Sequence, residues 1–255
     1  MIRIDVTGLD ELLKTMGRAD KQVRFAASRT LNQLAQLVIK DIRAEMQDSF
    51  DRPTPWTLRG FRQYGLATRD RLETTVDFKY TGNRTPEQHL LVPQVYGGER
   101  RLKRFEYALR SAGVLPGGYF IVRGQGAAMD AYGNISRGQV QQILSWFRGA
   151  ELTAGRTANS TAATRARKMR GTKSRFGFRY FVGRPGDGRG PLGVYQVVRI
   201  APGVTEMLPV LIFVRSTNYQ RRLDLQAAAE YSVRRNLDAT FQAALRQALA
   251  TARSS

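Results

Sequence analysis

The sequence predicts an α+β fold: an antiparallel sheet packed by a long N-terminal helix and a long C-terminal helix, with a helical and loop insertion in the middle. Three observations predict it. Between residues 20 and 50, apolar side chains recur every three or four positions. Between 176 and 214, three short alternating or apolar segments follow one another with turns between them. From 223 to 252 the helical spacing returns.

Ile2, Ile4 and Val6 alternate with polar residues, which predicts a short opening strand and not the continuous apolar stretch of a signal peptide. Thr7 is placed to cap a short helix with Asp10 and Glu11 in its first turn, where acids suit the helix dipole. Asp20 then opens the long helix. Val23, Ala27, Leu31, Leu34, Val38, Ile42, Met46 and Phe50 form one apolar stripe along it. Pro53 and Pro55 stop it, because proline lacks the next donor and disfavours helix geometry in the residue before it.

Residues 72–79 alternate (Leu72, Thr74, Val76, Phe78), as a half-buried strand does, and 89–92 reads as a further short strand ended by Pro93. Gly97 and Gly98 open a helix carrying Leu102, Phe105, Tyr107, Leu109 and Ala112. Residues 119–122 form a strand candidate, 130–134 a turn, and Ser136 caps a helix bearing Val140, Ile143, Leu144 and Phe147. Phe176, Phe178, Tyr180 and Val182 share one face of a strand; residues 193–200 and 208–214 follow as two more, which suggests an antiparallel meander. In the closing helix, Val233, Leu237, Phe241, Leu245 and Leu249 fall on one face. The chain reads as a single α+β domain over 1–255, with 51–191 a long insertion.

Composition bounds the function. With 255 residues and 42% hydrophobic side chains, a real core is available. No apolar run approaches the ~20 residues of a membrane span. The absence of cysteine excludes disulfides, thiolate metal sites and cysteine nucleophiles. Lys and Arg number 41 against 21 Asp and Glu, a net charge of +20, which favours polyanions or acidic protein faces as partners.

The charge is uneven. Residues 152–186 contain no acid and carry Arg156, Arg165, Arg167, Lys168, Arg170, Lys173, Arg175, Arg179 and Arg184. Ala, Thr, Ser and Gly dominate the first part of this stretch, which predicts a flexible basic arm too poor in apolar side chains to order itself alone. The first eight of these basic residues are the candidate binding residues. Their functional readings are phosphate contact with DNA or docking on an acidic protein surface; the alternative is a solvated loop.

Catalytic chemistry finds little to work with. His89 is the only histidine, with neither a nucleophile nor an orienting acid nearby in sequence, so a structural or exposed position is expected. The acids around Asp41, Glu45 and Asp48 stand among basic neighbours at ion-pair spacing, which favours surface pairs over a metal site. Gly124-Gln125-Gly126-Ala127-Ala128 lacks the third glycine and the downstream acid of a dinucleotide loop, and no Gly-Lys-Ser/Thr phosphate loop occurs. No enzymatic activity and no cofactor or metal is expected. Helix-turn-helix, zinc-finger and RNA-binding signatures are also missing.

Three stretches carry a family resemblance. The opening strand, Gly8-Leu9-Asp10-Glu11-Leu12-Leu13 and the long helix with Arg29-Thr30-Leu31-Asn32 resemble the start of tail-completion and minor tail proteins of tailed phages. Gly97-Gly98-Glu99-Arg100-Arg101-Leu102-Lys103-Arg104-Phe105-Glu106 and Asp130-Ala131-Tyr132-Gly133-Asn134-Ile135-Ser136-Arg137-Gly138-Gln139 are similar to segments of phage morphogenesis proteins. Gly193-Val194-Tyr195, Pro209-Val210-Leu211-Ile212-Phe213 and Tyr219-Gln220-Arg221-Arg222-Leu223 with the final helix resemble the close of the lambda-type minor tail protein Z family. The resemblance implies a virion protein of the tail or head–tail neck, assembled in the host cytoplasm, that completes the tail and helps head–tail joining. It further implies a homo-oligomeric ring, a hexamer being favoured, with other tail and neck proteins as partners. It supplies no catalytic residues. DNA contact through the basic arm is the alternative, and no membrane partner is expected.

Overall fold

A computed structural model describes residues 2–5, 20–79, 87–150, 159–172, 176–201 and 203–252. The chain is α+β, with antiparallel sheets and long N- and C-terminal helices that pack together, and it divides into two compact units. One comprises Met1–Gly97 with Gln220–Ser255; the other is Gly98–Tyr219. The inserted unit therefore has boundaries different from the 51–191 span that the sequence suggests.

The first unit is built on α1 (Asp20–Ser49). Its expected stripe is inside: Val23, Ala27, Leu31, Leu34, Val38, Ile42 and Met46 are all buried. A three-stranded antiparallel sheet of order β1-β3-β2 packs beside it, with β1 Ile2–Asp5, β2 Phe61–Tyr64 and β3 Glu73–Phe78. Thr74, Val76 and Phe78 point inward as the alternation predicts. Asn32 ties the helix to the loop after β2: its Oδ1 accepts from the Ala67 amide at 2.9 Å and from Gln63 Nε2 at 2.8 Å, and its Nδ2 donates to the Ala67 carbonyl at 3.0 Å. Between α1 and β2, Pro55 opens a four-residue helix, α2 (Pro55–Leu58), which Thr54 caps through the Thr57 amide. The short helix expected from Thr7 lies outside the described residues.

Two expectations in this unit need correction. Residues 89–92 are not a strand. They belong to α3 (Glu87–Tyr96), whose Leu91 and Val95 are buried one helical turn apart. A short apolar run reads either way, and here tertiary burial at spacing four decides. Pro93 sits inside this helix, where it withholds one donor without ending it. The side chain of His89 lies outside those described.

The closing helix, α7 (Leu225–Ala252), turns its expected face only partly inward: Val233, Phe241 and Leu245 are half-buried against the core. Leu237 and Leu249 are 40% and 46% exposed, whereas Leu225, Ala229, Ser232, Thr240, Ala244 and Ala248 are buried. Ala244 and Ala248 meet Ala26 of α1. Small side chains on both helices permit close approach of the backbones, with the larger Val233, Phe241 and Leu245 packed beside them. Asp41 pairs across these helices with Arg235, at 3.7 Å, and not with a neighbour on its own helix.

The second unit begins and ends on one short antiparallel pair, β4 (Gly98–Glu99) with β9 (Asn218–Tyr219). Its main sheet has the order β5-β8-β7-β6, all antiparallel, from β5 (Phe120–Arg123), β6 (Phe178–Gly183), β7 (Gly193–Ala201) and β8 (Val204–Val214). The last three form the expected meander. Two helices supply the apolar cover, α4 (Arg104–Ser111) and α5 (Arg137–Trp146), and Ser136 caps the second by accepting from the Gln139 amide. Leu109, Leu115, Ile121, Ile143, Leu144, Trp146, Val210 and Leu211 share one core with Tyr180.

Tyr180 stands edge-on to Trp146, with ring centroids 5.8 Å apart, and donates to Gln142 Oε1 at 3.1 Å. Burial pushes its hydroxyl pKa up to about 12. On its own strand Tyr180 is the buried member of the expected aromatic face, while Phe176 and Val182 are exposed. The Gly124–Gly126 run serves packing: a Cβ at Gly124 would stand 2.1 Å from the Pro209 carbonyl oxygen, so glycine lets the loop pass directly over β8.

Candidate interface on the basic unit

The division into units sharpens the charge asymmetry. Gly98–Tyr219 holds 20 Lys and Arg against six Asp and Glu, a net +14; the remaining residues hold 21 against 15, a net +6. Fewer than half of the residues thus carry most of the +20. Among the six acids, Glu106 is fully buried and engaged with Arg100, and Asp130 accepts the Tyr132 and Asn134 amides in a turn.

The stretch expected to be a flexible arm contains a helix, α6 (Ala162–Arg170). Its local signals are ordinary ones: Thr161 caps it by accepting from the Thr164 amide at 3.1 Å, Ala and Arg are good helix formers, and Arg167, Lys168 and Arg170 crowd the last turn where the dipole favours cations. Close packing holds the helix to the strand that follows. A Cβ at Gly177 would lie 1.9 Å from the Met169 carbonyl oxygen, so only glycine fits where the segment before β6 meets α6.

The candidate residues separate into two sets on this helix. Arg165 and Lys168 turn to the unit itself: Arg165 Nη1 donates to the Trp146 carbonyl at 3.3 Å and Lys168 Nζ donates to Ser160 Oγ at 3.5 Å. Arg167 and Arg170 are exposed, and so is Arg179 on the adjacent β6. Arg156, Lys173 and Arg175 lie outside the described residues. The structure therefore brings together five of the eight candidates, three of which present their charge to solvent.

A second feature was not foreseen. A cleft of about 390 Å³ opens in the same unit. Arg100, Lys103 and Arg123 supply cations to it, Phe105, Ile121 and Val140 contribute apolar wall, and Asn134 and Tyr219 add polar groups. At its base Arg100 forms a bidentate pair with Glu106, both bonds 2.6 Å, with side chains 5% and 0% exposed. Glu106 also accepts from the Ile121 amide at 2.8 Å and from the Lys103 amide, and Arg100 donates to the carbonyls of Ile121 and Arg101. Burial works against the Arg100 charge, but Glu106 outweighs it and, with Tyr219, raises the guanidinium pKa.

Lys103 has the opposite balance. Lys103 keeps its contact with water, but the atoms around it partly desolvate its ammonium and Arg100 repels it, which lowers its pKa despite Glu106 nearby. Arg123 donates to the Met129 thioether at 2.7 Å, a weak acceptor. Among the described residues no acidic side chain lines the cleft. The sequence signal was the basic run Arg100-Arg101-Leu102-Lys103-Arg104, but nothing in it distinguishes the buried arginine from its exposed neighbours.

Among the described residues no group of three or more His, Asp or Glu side chains comes together to hold a metal, and no helix is long and apolar enough to cross a membrane. No protein-family model, curated protein sequence or solved structure matches this chain.

Proposed function

We propose that the chain is a structural protein of a tailed-phage virion, a ring subunit of the tail or head–tail neck that completes the tail and helps it join the head. The observation that carries this reading is the separation of charge: a helical unit of modest charge bears an inserted unit of +14. Such a unit meets an acidic neighbour or DNA readily, and heterologous contacts between identical subunits form a ring where their rotation closes. The sequence resemblance supplies the setting. Electron microscopy of phage particles that lack the protein should show heads and tails that fail to join stably. Normal infectious particles would remove the proposal. The mass of the assembled species tests the hexamer.

A second reading, a DNA-binding accessory protein, is favoured by Arg167, Arg170 and Arg179 standing exposed on α6 and β6. It predicts duplex binding that weakens as salt rises, each phosphate contact contributing about 0.9 to the slope. Replacing Arg165, Arg167, Lys168 and Arg170 by Gln should flatten that slope, with about 1.8 of the change due to Arg167 and Arg170. An unchanged slope would take α6 out of any DNA contact.

A further inference from the structure

The cleft in the Gly98–Tyr219 unit has the chemistry of a receptor. Cationic side chains open into it, and among the described residues no carboxylate lines it. Arg100 is already satisfied by Glu106, so the charge available to a visitor comes from Lys103 and Arg123, both exposed. Arg123 gives up little by leaving a thioether. Behind these cations the wall is apolar: Ile121 is buried, and Phe105 and Val140 are half-buried. A volume of about 390 Å³ lies at the small end of the range for ligand pockets.

The geometry points to a docking site for an acidic segment of another protein, with one Asp or Glu carboxylate held by Lys103 and Arg123 and a neighbouring apolar side chain seated on Phe105, Ile121 and Val140. A side-chain carboxylate fits better than a chain terminus, because terminal carboxylates are captured by convergent backbone amides, whereas acidic motifs are captured by cationic side chains. A nucleic-acid backbone fits less well. It presents closely spaced charges along an extended track, and this is a short, concave cleft with partly apolar walls. Fixed cations facing an incoming carboxylate also give the contact orientation and speed. A seated anion would relieve the repulsion between Lys103 and Arg100. The inference stands apart from the virion role, since it rests on the cleft alone.

The test uses the full chain and a capped pentapeptide, glycine-leucine-glutamate-leucine-glycine, followed by amide NMR. Millimolar peptide should shift the amides of Phe105, Ile121, Val122, Arg123, Asn134 and Ile135 saturably, and the glutamine twin of the peptide should bind about tenfold more weakly. Lys103→Gln and Arg123→Gln should each weaken binding about fivefold, the size expected of one exposed charge contact. Both side chains are exposed, so folding should survive, which an unchanged melting temperature verifies. Arg167→Gln, on α6, should leave peptide binding unaltered. Absence of saturable shifts in the unsubstituted protein, or equal binding of the glutamine twin, would overturn the inference. If oligothymidylate shifts these amides and the peptide does not, the cleft belongs to nucleic acid and the inference fails.

Discussion

Replacing Glu106 by Gln keeps the length and shape of the side chain and removes its charge. In the structure that carboxylate accepts two bonds from Arg100 and one each from the Ile121 and Lys103 amides, with no exposure to water. The amide of Gln must turn a donor toward one of these donors, and the Arg100 charge stays buried without its counterion. Breaking a buried pair by removing one partner costs about 3–5 kcal/mol. For a unit of 122 residues the unfolding entropy is about 0.26 kcal/mol/K, so the melting temperature should fall by about 12–20 °C.

The assay is urea and thermal unfolding followed by tryptophan fluorescence. The chain has two tryptophans, Trp56 in the first unit and Trp146 in the core of the second. A Trp56→Phe background therefore makes the signal specific to the second unit. Adding Arg100→Met to Glu106→Gln removes the stranded charge, and the double-mutant cycle should give a coupling on the order of 2 kcal/mol. A loss below about 1 kcal/mol with no coupling would refute the view that this pair organises the unit.

Three further outcomes follow from the packing. Ala248→Leu should destabilise the first unit by about 1–3 kcal/mol by forcing α7 off α1, whereas Leu249→Ala should stay within about 0.5 kcal/mol, as measured by denaturation followed by circular dichroism. Gly177→Ala drives a methyl into the Met169 carbonyl and should cost about 1–3 kcal/mol, with faster tryptic cleavage at Arg167 and Arg170 as α6 loosens. Tyr180 favours its neutral form in the folded state, with a pKa near 12 against about 10 when unfolded. Its contribution is complete below pH 10 and declines between pH 10 and 12, by on the order of 2 kcal/mol, and Tyr180→Phe should flatten that part of the urea-midpoint profile.

What the sequence makes legible depends on the kind of side chain that does the packing. The α1 stripe is visible because Leu31, Leu34, Val38, Ile42 and Met46 are large and all buried. The α7 face is only half legible for the complementary reason. Its helix spacing is plain, but Ala229, Ala244 and Ala248 are the deepest members, and of the large residues only Val233, Phe241 and Leu245 reach the core while Leu237 and Leu249 stay exposed. The β6–β7–β8 meander is legible from alternation and turns, whereas β2, only four residues long, gives no periodic signal.

In the basic stretch, composition conceals a capped helix, since Thr161, the Ala/Arg run and Gly171 are consistent with α6 even though few apolar side chains support it. The candidate interface is half visible: the Arg cluster can be read directly, but not which members turn inward. The cleft is invisible in sequence, because Lys103, Arg123, Asn134 and Tyr219 converge from separate segments of the chain.

The β4–β9 pair places Gly98 opposite Tyr219, so the polypeptide leaves and rejoins its helical host through neighbouring strands. A module whose two ends emerge side by side is transplantable: joining Gly97 to Gln220 asks the host to close a gap about one strand spacing wide, near 5 Å. Exchanging the residues between Gly97 and Gln220 would change the charge of the protein while leaving the α1–α7 pairing in place. The electrostatic character of the protein is in this sense a replaceable part.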